Sequence, residues 1–129
     1  MIKLDDAPAS IRILTVDDHP VFRSGIAAFL ATQPDMRLVA EASNGLEAIQ
    51  QFRQHRPDII LMDLQMPEMN GLDAMVAIRD EFPEARIIIL TTFADDEQGA
   101  MKLGARAFLL KAQLGKDLLG TIRAVCAGK

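Results

Sequence analysis

The sequence has 129 residues, half of them hydrophobic and a quarter charged, with a formal net charge of −4. A chain of this length and composition is expected to fold as one globular domain rather than to remain disordered. The acidic balance without a basic stripe argues against direct DNA binding by this segment, and no apolar run has the length of a membrane span.

In chain order, the folded region is predicted to begin near Ile11. Residues 1–10 combine Pro8 with polar residues and show no hydrophobic periodicity, so we expect a flexible leader there and one domain over residues 11–127. Five short apolar runs then alternate with segments of helical spacing. The runs predict strands at residues 11–16, 38–42, 59–62, 87–90 and 107–110.

The segments between these runs carry apolar residues three or four positions apart, which is the spacing of one helix face. They predict helices around residues 22–30, 46–52, 72–82, 95–103 and 114–125, with Gly104 ending the fourth. Asn44 with Glu47, and Asp95 with Gln98, have the spacing of N-terminal capping pairs. The only cysteine, Cys126, lies in the fifth helix, which excludes an internal disulfide and fits a reducing compartment. Because the chain starts with the acidic segment MIKLDD rather than a signal peptide, we expect a cytoplasmic location.

This alternation of strands and helices predicts an α/β fold of the type (βα)5. Several strands are apolar throughout, as expected for parallel strands with helices on both faces. Short connections and right-handed crossovers favour a flavodoxin-like, doubly wound, parallel five-stranded sheet with the order 2-1-3-4-5. In such a sheet, ligands bind at the carboxyl ends of the strands between the first and third strands.

Three acidic residues follow buried strands at that position. Asp17 and Asp18 end the first strand and Asp63 ends the third. Neighbouring carboxylates repel each other and raise the pKa of at least one of them unless a cation lies between them, and Mg²⁺ prefers such hard oxygen ligands. The alternative is that these acids cap helices or face solvent. His19 is interpreted as a capping or solvated residue, because Mg²⁺ prefers oxygen.

A hydroxyl and an ammonium group are expected at the same edge, because Thr91 and Lys111 follow the fourth and fifth strands. Taken singly, each residue is more often a strand-end hydroxyl or a solvated lysine. Together with a carboxylate nucleophile and a divalent cation, they provide what phosphoryl transfer to an aspartate requires.

Four segments carry a family resemblance: VDDHPVFRSGI at 16–26, MDLQMPEMNG at 62–71, LTTF at 90–93 and GARAFLLK at 104–111. In this order and spacing they resemble the receiver domains of bacterial response regulators over about residues 11–127. The DDHP and LTTF segments are similar to the NarL/FixJ (LuxR-type) branch.

The resemblance implies a role for each matching residue. Asp63 would be the phospho-acceptor, and Mg²⁺ would bind Asp63, Asp18, the backbone carbonyl of Gln65 and, through water, Asp17. Lys111 would pair with the acceptor carboxylate and then with the phosphoryl group. Thr91 and Phe108 would form the switch, in which Phe108 turns inward as the Thr91 hydroxyl moves. Read alone, Phe108 is a core residue.

The resemblance also implies partners. The domain would be phosphorylated by a sensor histidine kinase or a small phosphodonor, would form a phosphorylation-dependent homodimer and would catalyse only its own phosphorylation and dephosphorylation. DNA binding would belong to a helix-turn-helix domain absent from this chain, and a stand-alone receiver is the alternative. Three rival interpretations remain. A haloacid-dehalogenase-type phosphatase would need an Asp-x-Asp motif, whereas Asp17 and Asp18 are adjacent, and in a flavodoxin these two acids would repel the phosphate of the flavin. The third is a phosphate-independent interaction module.

Overall fold

The computed structural model describes residues 10–94 and 97–128. Within them the strands are β1 (Ile11–Val16), β2 (Met36–Ala42), β3 (Ile59–Asp63), β4 (Ile87–Thr91) and β5 (Ala107–Leu110). The α-helices are α1 (Pro20–Ala31), α2 (Gly45–His55), α3 (Gly71–Glu81), α4 (Glu97–Lys102) and α5 (Leu114–Cys126), and a 3₁₀ turn (Lys111–Gln113) precedes α5. No helix in these ranges is long and apolar enough to cross a membrane.

The five strands form one parallel sheet in the order β2-β1-β3-β4-β5, which confirms the predicted fold and strand order. The strand β2 begins two residues earlier than predicted, at Met36. It lies at the edge of the sheet, where exposed Arg37 is tolerated and the apolar pattern is interrupted. The strands β3 and β4 each extend one residue further, to Asp63 and Thr91, so these polar residues belong to the strands themselves.

The core has two layers, one on each face of the sheet. Leu14, Ile60 and Ile89 point to the layer formed with α2, α3 and α4. Ile13 and Ile88 point to the layer formed with α1 and α5. Because successive strand residues face opposite sides, covering both faces requires nearly continuous apolar strands, as the sequence predicts.

Helix capping follows the sequence in part. The Asn44 side chain accepts a hydrogen bond from the Glu47 N–H at 2.9 Å, as predicted, while the Glu47 carboxylate accepts from the Ser43 N–H rather than from Asn44. Asn70, which the sequence reading passed over, caps α3 in the same way through the Asp73 N–H at 2.9 Å. Asp95 of the other predicted pair and residues 1–9 of the predicted leader lie outside the described residues.

Candidate functional site

The parallel sheet brings the ends of β1 and β3 together at one edge. Ligand atoms of Asp17, Asp18, His19 and Asp63 all lie within 4.8 Å of one another. The three acids that the sequence predicted to meet therefore lie close together, and a histidine lies among them. The cause is topological, because β1 and β3 are hydrogen-bonded neighbours although their first paired residues, Ile13 and Ile59, are 46 positions apart in the sequence.

Lys111 makes its shortest contact with Asp17 rather than with the predicted acceptor. Its Nζ lies 2.7 Å from Asp17 Oδ2 and 3.5 Å from Asp63 Oδ1. The ammonium also lies 4.2 Å from the centre of the Phe22 ring on α1, close enough for a cation–π contact. Lys111 thus compensates the buried Asp17 while remaining within reach of Asp63.

Asp63 is buried and resists ionisation. Burial, together with the nearby Asp17 carboxylate, raises the pKa of Asp63 from 3.8 to about 6, and the Lys111 ammonium opposes this rise. A carboxyl group in this condition gains from any further positive charge placed beside it. A raised pKa in a pocket of convergent polar groups is also typical of functional sites.

His19 lies at the predicted capping position and also contacts the acids. It is the N-cap residue of α1 but makes no capping bond with its side chain. Its backbone N–H donates to Asp17 Oδ1 at 2.8 Å, and its Nδ1 lies 3.0 Å from Asp17 Oδ1 and 3.1 Å from Asp18 Oδ1. The ring is mostly exposed, in agreement with the interpretation as a capping or solvated residue, but one of its nitrogens faces the acids, which the sequence did not predict.

Gln65 lies in the loop after β3, and this loop forms the wall of an open pocket of about 340 Å³. Asp18 lines the same pocket together with Leu64, Gln65, Met66, Pro67, Asn70 and Leu72. Among the described residues, Asp18 Oδ1 is one of two buried side-chain atoms without a hydrogen-bond partner. Because a buried anionic oxygen without a partner is costly, this donor set fits a divalent cation.

The two predicted switch residues lie on neighbouring strands. Thr91 is buried at the end of β4, and its Oγ1 lies 3.5 Å from the Phe93 N–H. Phe108 is half-buried in β5, pairs in register with Ile89 and packs against the core layer formed with α2, α3 and α4. The two residues therefore lie on adjacent strands, two register positions apart.

Arg23 is a residue of the site that sequence reasoning missed. Its guanidinium donates to the backbone carbonyl of Asp17, and its Nε lies 3.1 Å from Glu41 Oε1 on β2. It therefore ties the β1–α1 turn to the neighbouring strand and helps to position Asp17. The sequence offers only a charged residue on a helix, because its partner Glu41 lies eighteen positions away.

Gly71 allows α3 to begin directly against the acceptor strand. A Cβ at this position would overlap the Asp63 carbonyl oxygen and lie 2.8 Å from the Leu64 Cα. Because backbone cannot move aside as a side chain can, we expect Gly71→Ala to lower the free energy of unfolding by about 2–3 kcal/mol in urea titrations. Gly25→Ala in α1 is the control, since open space there predicts a gain of up to about 1 kcal/mol. Equal stability of the two variants would contradict the close contact.

The fold and this edge define a doubly wound α/β protein with an acidic, lysine-paired pocket at its topological switch point. Residues 13–123 match the family described as "Response regulator receiver domain". The chain therefore belongs to the receiver-domain family of two-component response regulators.

Relatives with curated names support this assignment. The chain is 42% identical over 113 residues to "Uncharacterized transcriptional regulatory protein YhcZ" from Bacillus subtilis, covering 86% of this chain and 53% of that protein. It is 36% identical over 122 residues to "Response regulator protein VraR" from Staphylococcus aureus, covering 93% of this chain and 58% of that protein. The chain thus spans little more than half the length of these relatives.

Solved structures agree with the family. A LuxR-family two-component response regulator from Aurantimonas superposes with a TM-score of 0.88 at 34% identity, covering 94% of this chain and 88% of that chain. The receiver domain of the response regulator NarL from Mycobacterium tuberculosis gives a TM-score of 0.88 at 28% identity, covering 95% of this chain and 100% of that chain. These relatives place the domain among the LuxR/NarL-type regulators, as the sequence motifs predicted.

Proposed function

We propose that this domain accepts a phosphoryl group on Asp63 in the presence of Mg²⁺, from a phosphohistidine of a sensor histidine kinase or from a small phosphodonor. The observation that supports it most is the position of Asp63, buried at the end of β3 with Lys111 Nζ 3.5 Å from one oxygen and the Asp17 and Asp18 carboxylates close by. A nucleophile, a fixed positive charge and a cation-binding oxygen cluster meet at one point.

In the transfer, one carboxylate oxygen of Asp63 forms a bond to phosphorus as the bond from phosphorus to the donor breaks, and the donor leaves with the electron pair. Lys111 can then move from Asp17 towards a phosphoryl oxygen, and the Thr91 hydroxyl can donate to another. A Mg²⁺ held by Asp18, Asp63, the Gln65 carbonyl and, through water, Asp17 would neutralise charge on the transferred group.

The signal is a change of population between two conformations. A phosphoryl group on Asp63 adds nearly two negative charges, and it stabilises the conformation that offers it better hydrogen bonds. We propose that Thr91 and Phe108 transmit this preference to the face formed by α4, β5 and α5, and that this face mediates homodimerisation. Such a domain catalyses only its own phosphorylation and dephosphorylation.

The names of the relatives favour a place in transcription control. We propose that residues 11–127 are the receiver of a cytoplasmic transcription regulator, preceded by a leader over residues 1–10, and that DNA is bound by a separate helix-turn-helix domain. A stand-alone receiver that passes on phosphoryl groups or binds a protein target is the alternative. Phosphorylation-dependent dimerisation of a longer gene product carrying such a domain would favour the first of these roles.

Intact-mass spectrometry after incubation with acetyl phosphate tests the phospho-acceptor. We expect one phosphoryl adduct with Mg²⁺, none with EDTA and none in Asp63→Asn, because Asp63 lies buried at the end of β3 with Lys111 Nζ 3.5 Å away, whereas Asp17 is already held in the shorter ion pair with Lys111. The exposed Asp80→Asn, which removes the same charge from α3, is the control and should still carry the adduct.

Two outcomes would contradict this proposal. Absence of an adduct, even with a range of phosphohistidine donors, would favour a phosphate-independent interaction module. Sustained hydrolysis of a phosphomonoester would favour a phosphatase.

The phosphorylated sample also tests the proposed switch and dimer. The ring resonances of Phe108 should shift, and unchanged resonances would contradict the proposed switch. The sedimentation coefficient should rise, and an unchanged coefficient would contradict the proposed dimer.

A further inference from the structure

His19 brings a nitrogen ligand to an otherwise carboxylate pocket. Its Nδ1 lies 3.0 Å from Asp17 Oδ1 and 3.1 Å from Asp18 Oδ1. In an octahedral site with metal–ligand bonds of about 2.1 Å, adjacent ligand atoms lie roughly 3.0 Å apart. The nitrogen and each of the two oxygens therefore already have the spacing of neighbouring ligands around one cation.

The two oxygens of Asp17 face different partners. Oδ2 accepts from the Lys111 ammonium at 2.7 Å, whereas Oδ1 accepts from the His19 backbone N–H at 2.8 Å and lies at hydrogen-bond distance, 3.0 Å, from the His19 ring Nδ1. Asp18 Oδ1 is buried and makes no hydrogen bond among the described residues, although His19 Nδ1 lies 3.1 Å away. A cation beside Asp17 Oδ1, Asp18 Oδ1 and the imidazole would leave the Lys111 contact in place.

The backbone holds His19 at this position. Its N–H donates to Asp17 Oδ1 at 2.8 Å, and α1 begins at the next residue, Pro20, whose ring restricts the chain. The imidazole itself is mostly exposed, so it can turn its Nδ1 lone pair towards a cation while its Nε2 keeps a proton and contacts water. Little ordering is then required for this nitrogen to become a ligand.

We infer that His19 is a ligand for borderline divalent cations, with Co²⁺ and Zn²⁺ as the chemical class, and that it sets the preference of the acid pocket among divalent ions. Imidazole binds such ions well, whereas Mg²⁺ selects oxygen ligands. The ratio of the Co²⁺ or Zn²⁺ affinity to the Mg²⁺ affinity is therefore far higher with His19 present than the carboxylates alone would give. This inference rests on the proposed metal-binding role of Asp17, Asp18 and Asp63.

The test is a Co²⁺ titration of the full chain, followed by the visible absorption of the ion and by competition with Mg²⁺. In His19→Asn, whose asparagine remains a good N-cap residue, we expect the Co²⁺ affinity to fall by about tenfold or more and the Mg²⁺ affinity to change by less than about threefold. His55→Asn, which alters the other histidine at the end of α2, is the matched control and should change neither affinity. Circular dichroism checks that each variant is folded.

The imidazole nitrogens provide a second measurement. With only two histidines in the chain, comparison with His55→Asn assigns the ¹⁵N resonances, and we expect the Nδ1 resonance of His19 to shift with Zn²⁺ but not with Mg²⁺. Unchanged Co²⁺ affinity in His19→Asn would overturn the inference. An equal loss of Co²⁺ and Mg²⁺ affinity would also overturn it, because His19 would then only position the acids.

The outcomes separate this inference from the proposed function. If the unaltered chain binds neither Mg²⁺ nor Co²⁺, the metal role of the acid pocket fails, and the inference fails with it. If Mg²⁺ still supports the phosphoryl adduct but His19→Asn leaves Co²⁺ binding intact, only the inference about His19 fails.

Discussion

Replacing Lys111 with methionine is expected to lower the free energy of unfolding by about 3 kcal/mol at pH 7 in EDTA. The ammonium is largely buried and makes a 2.7 Å ion pair with Asp17, which is almost fully buried. Without it, Asp17 and Asp63 would remain as neighbouring buried acids with no cation between them, and the contact with the Phe22 ring would be lost. Urea unfolding followed by circular dichroism measures the change.

The same substitution should lower the rate of phosphorylation by acetyl phosphate about a hundredfold, since one charge-stabilising group for the transferred oxygens is removed. Lys116→Met is the matched control, because Lys116 is exposed in the first turn of α5 and the charge change is identical. It should alter stability by less than about 0.5 kcal/mol. If the Lys111 and Lys116 variants were equally stable, the buried ion pair would not contribute as argued.

Replacing Asp63 with asparagine is expected to have the opposite effect, raising the free energy of unfolding by up to about 3 kcal/mol at pH 7 in EDTA. The rise of the Asp63 pKa from 3.8 to about 6 corresponds to a free-energy penalty of that size for the ionised group in the fold. Asparagine keeps the shape of the side chain and removes the charge. The gain should be measured by urea unfolding across a pH series.

The pH dependence of this gain follows from the direction of the pKa change. Between pH 4 and pH 6 the folded state retains a proton on Asp63 that the unfolded state releases, so the original protein loses stability as pH rises through this window. Below it both states are protonated, and the advantage of Asp63→Asn should disappear. A stability difference that stays constant from pH 4 to pH 7 would contradict this explanation.

Two controls isolate the cause. Asp80→Asn, at an exposed position on α3, should leave the pH profile unchanged. A cation that binds only the folded state stabilises it by mass action. Mg²⁺ should therefore stabilise the original protein more than it stabilises the Asp63→Asn variant, which lacks one of the proposed carboxylate ligands. The destabilising cluster of acids would then be retained for its chemistry at the expense of stability in the metal-free protein.

The opposite signs of the two effects have one origin. Lys111 and Asp63 lie in a pocket whose negative charges outnumber its one ammonium group, since Asp17, Asp18 and Asp63 meet Lys111 there. Removing positive charge increases the repulsion, and removing negative charge relieves it. A divalent cation also relieves this repulsion, and it leaves the nucleophilic carboxylate of Asp63 in place.

Much of the fold was predictable from the sequence because its signals are local. Continuous apolar runs indicate strands buried on both faces, and helical spacing indicates the covering helices. The hydrogen bond from the Glu47 N–H to Asn44 also depends on residues three positions apart. The early start of β2 at Met36 was missed because an edge strand tolerates a polar residue that breaks the apolar run.

The contacts within the pocket were less predictable. Lys111 contacts both Asp17 and the Phe22 ring, and Arg23 pairs with Glu41 of a neighbouring strand. Each arises between residues brought together only when the sheet is assembled. No spacing pattern along the chain encodes such pairs.

By itself the sequence determined the family, the strand order and the edge of the sheet at which Asp17, Asp18 and Asp63 meet, because periodicity and motif spacing are properties of the linear chain. Only the tertiary structure decided how charge is shared there: which acid Lys111 neutralises, that Asp63 bears the raised pKa, and that His19 faces the acids. The physical reason is that electrostatic interactions depend on distances of a few ångströms and on burial, and both exist only after residues from separate strands and helices have packed together.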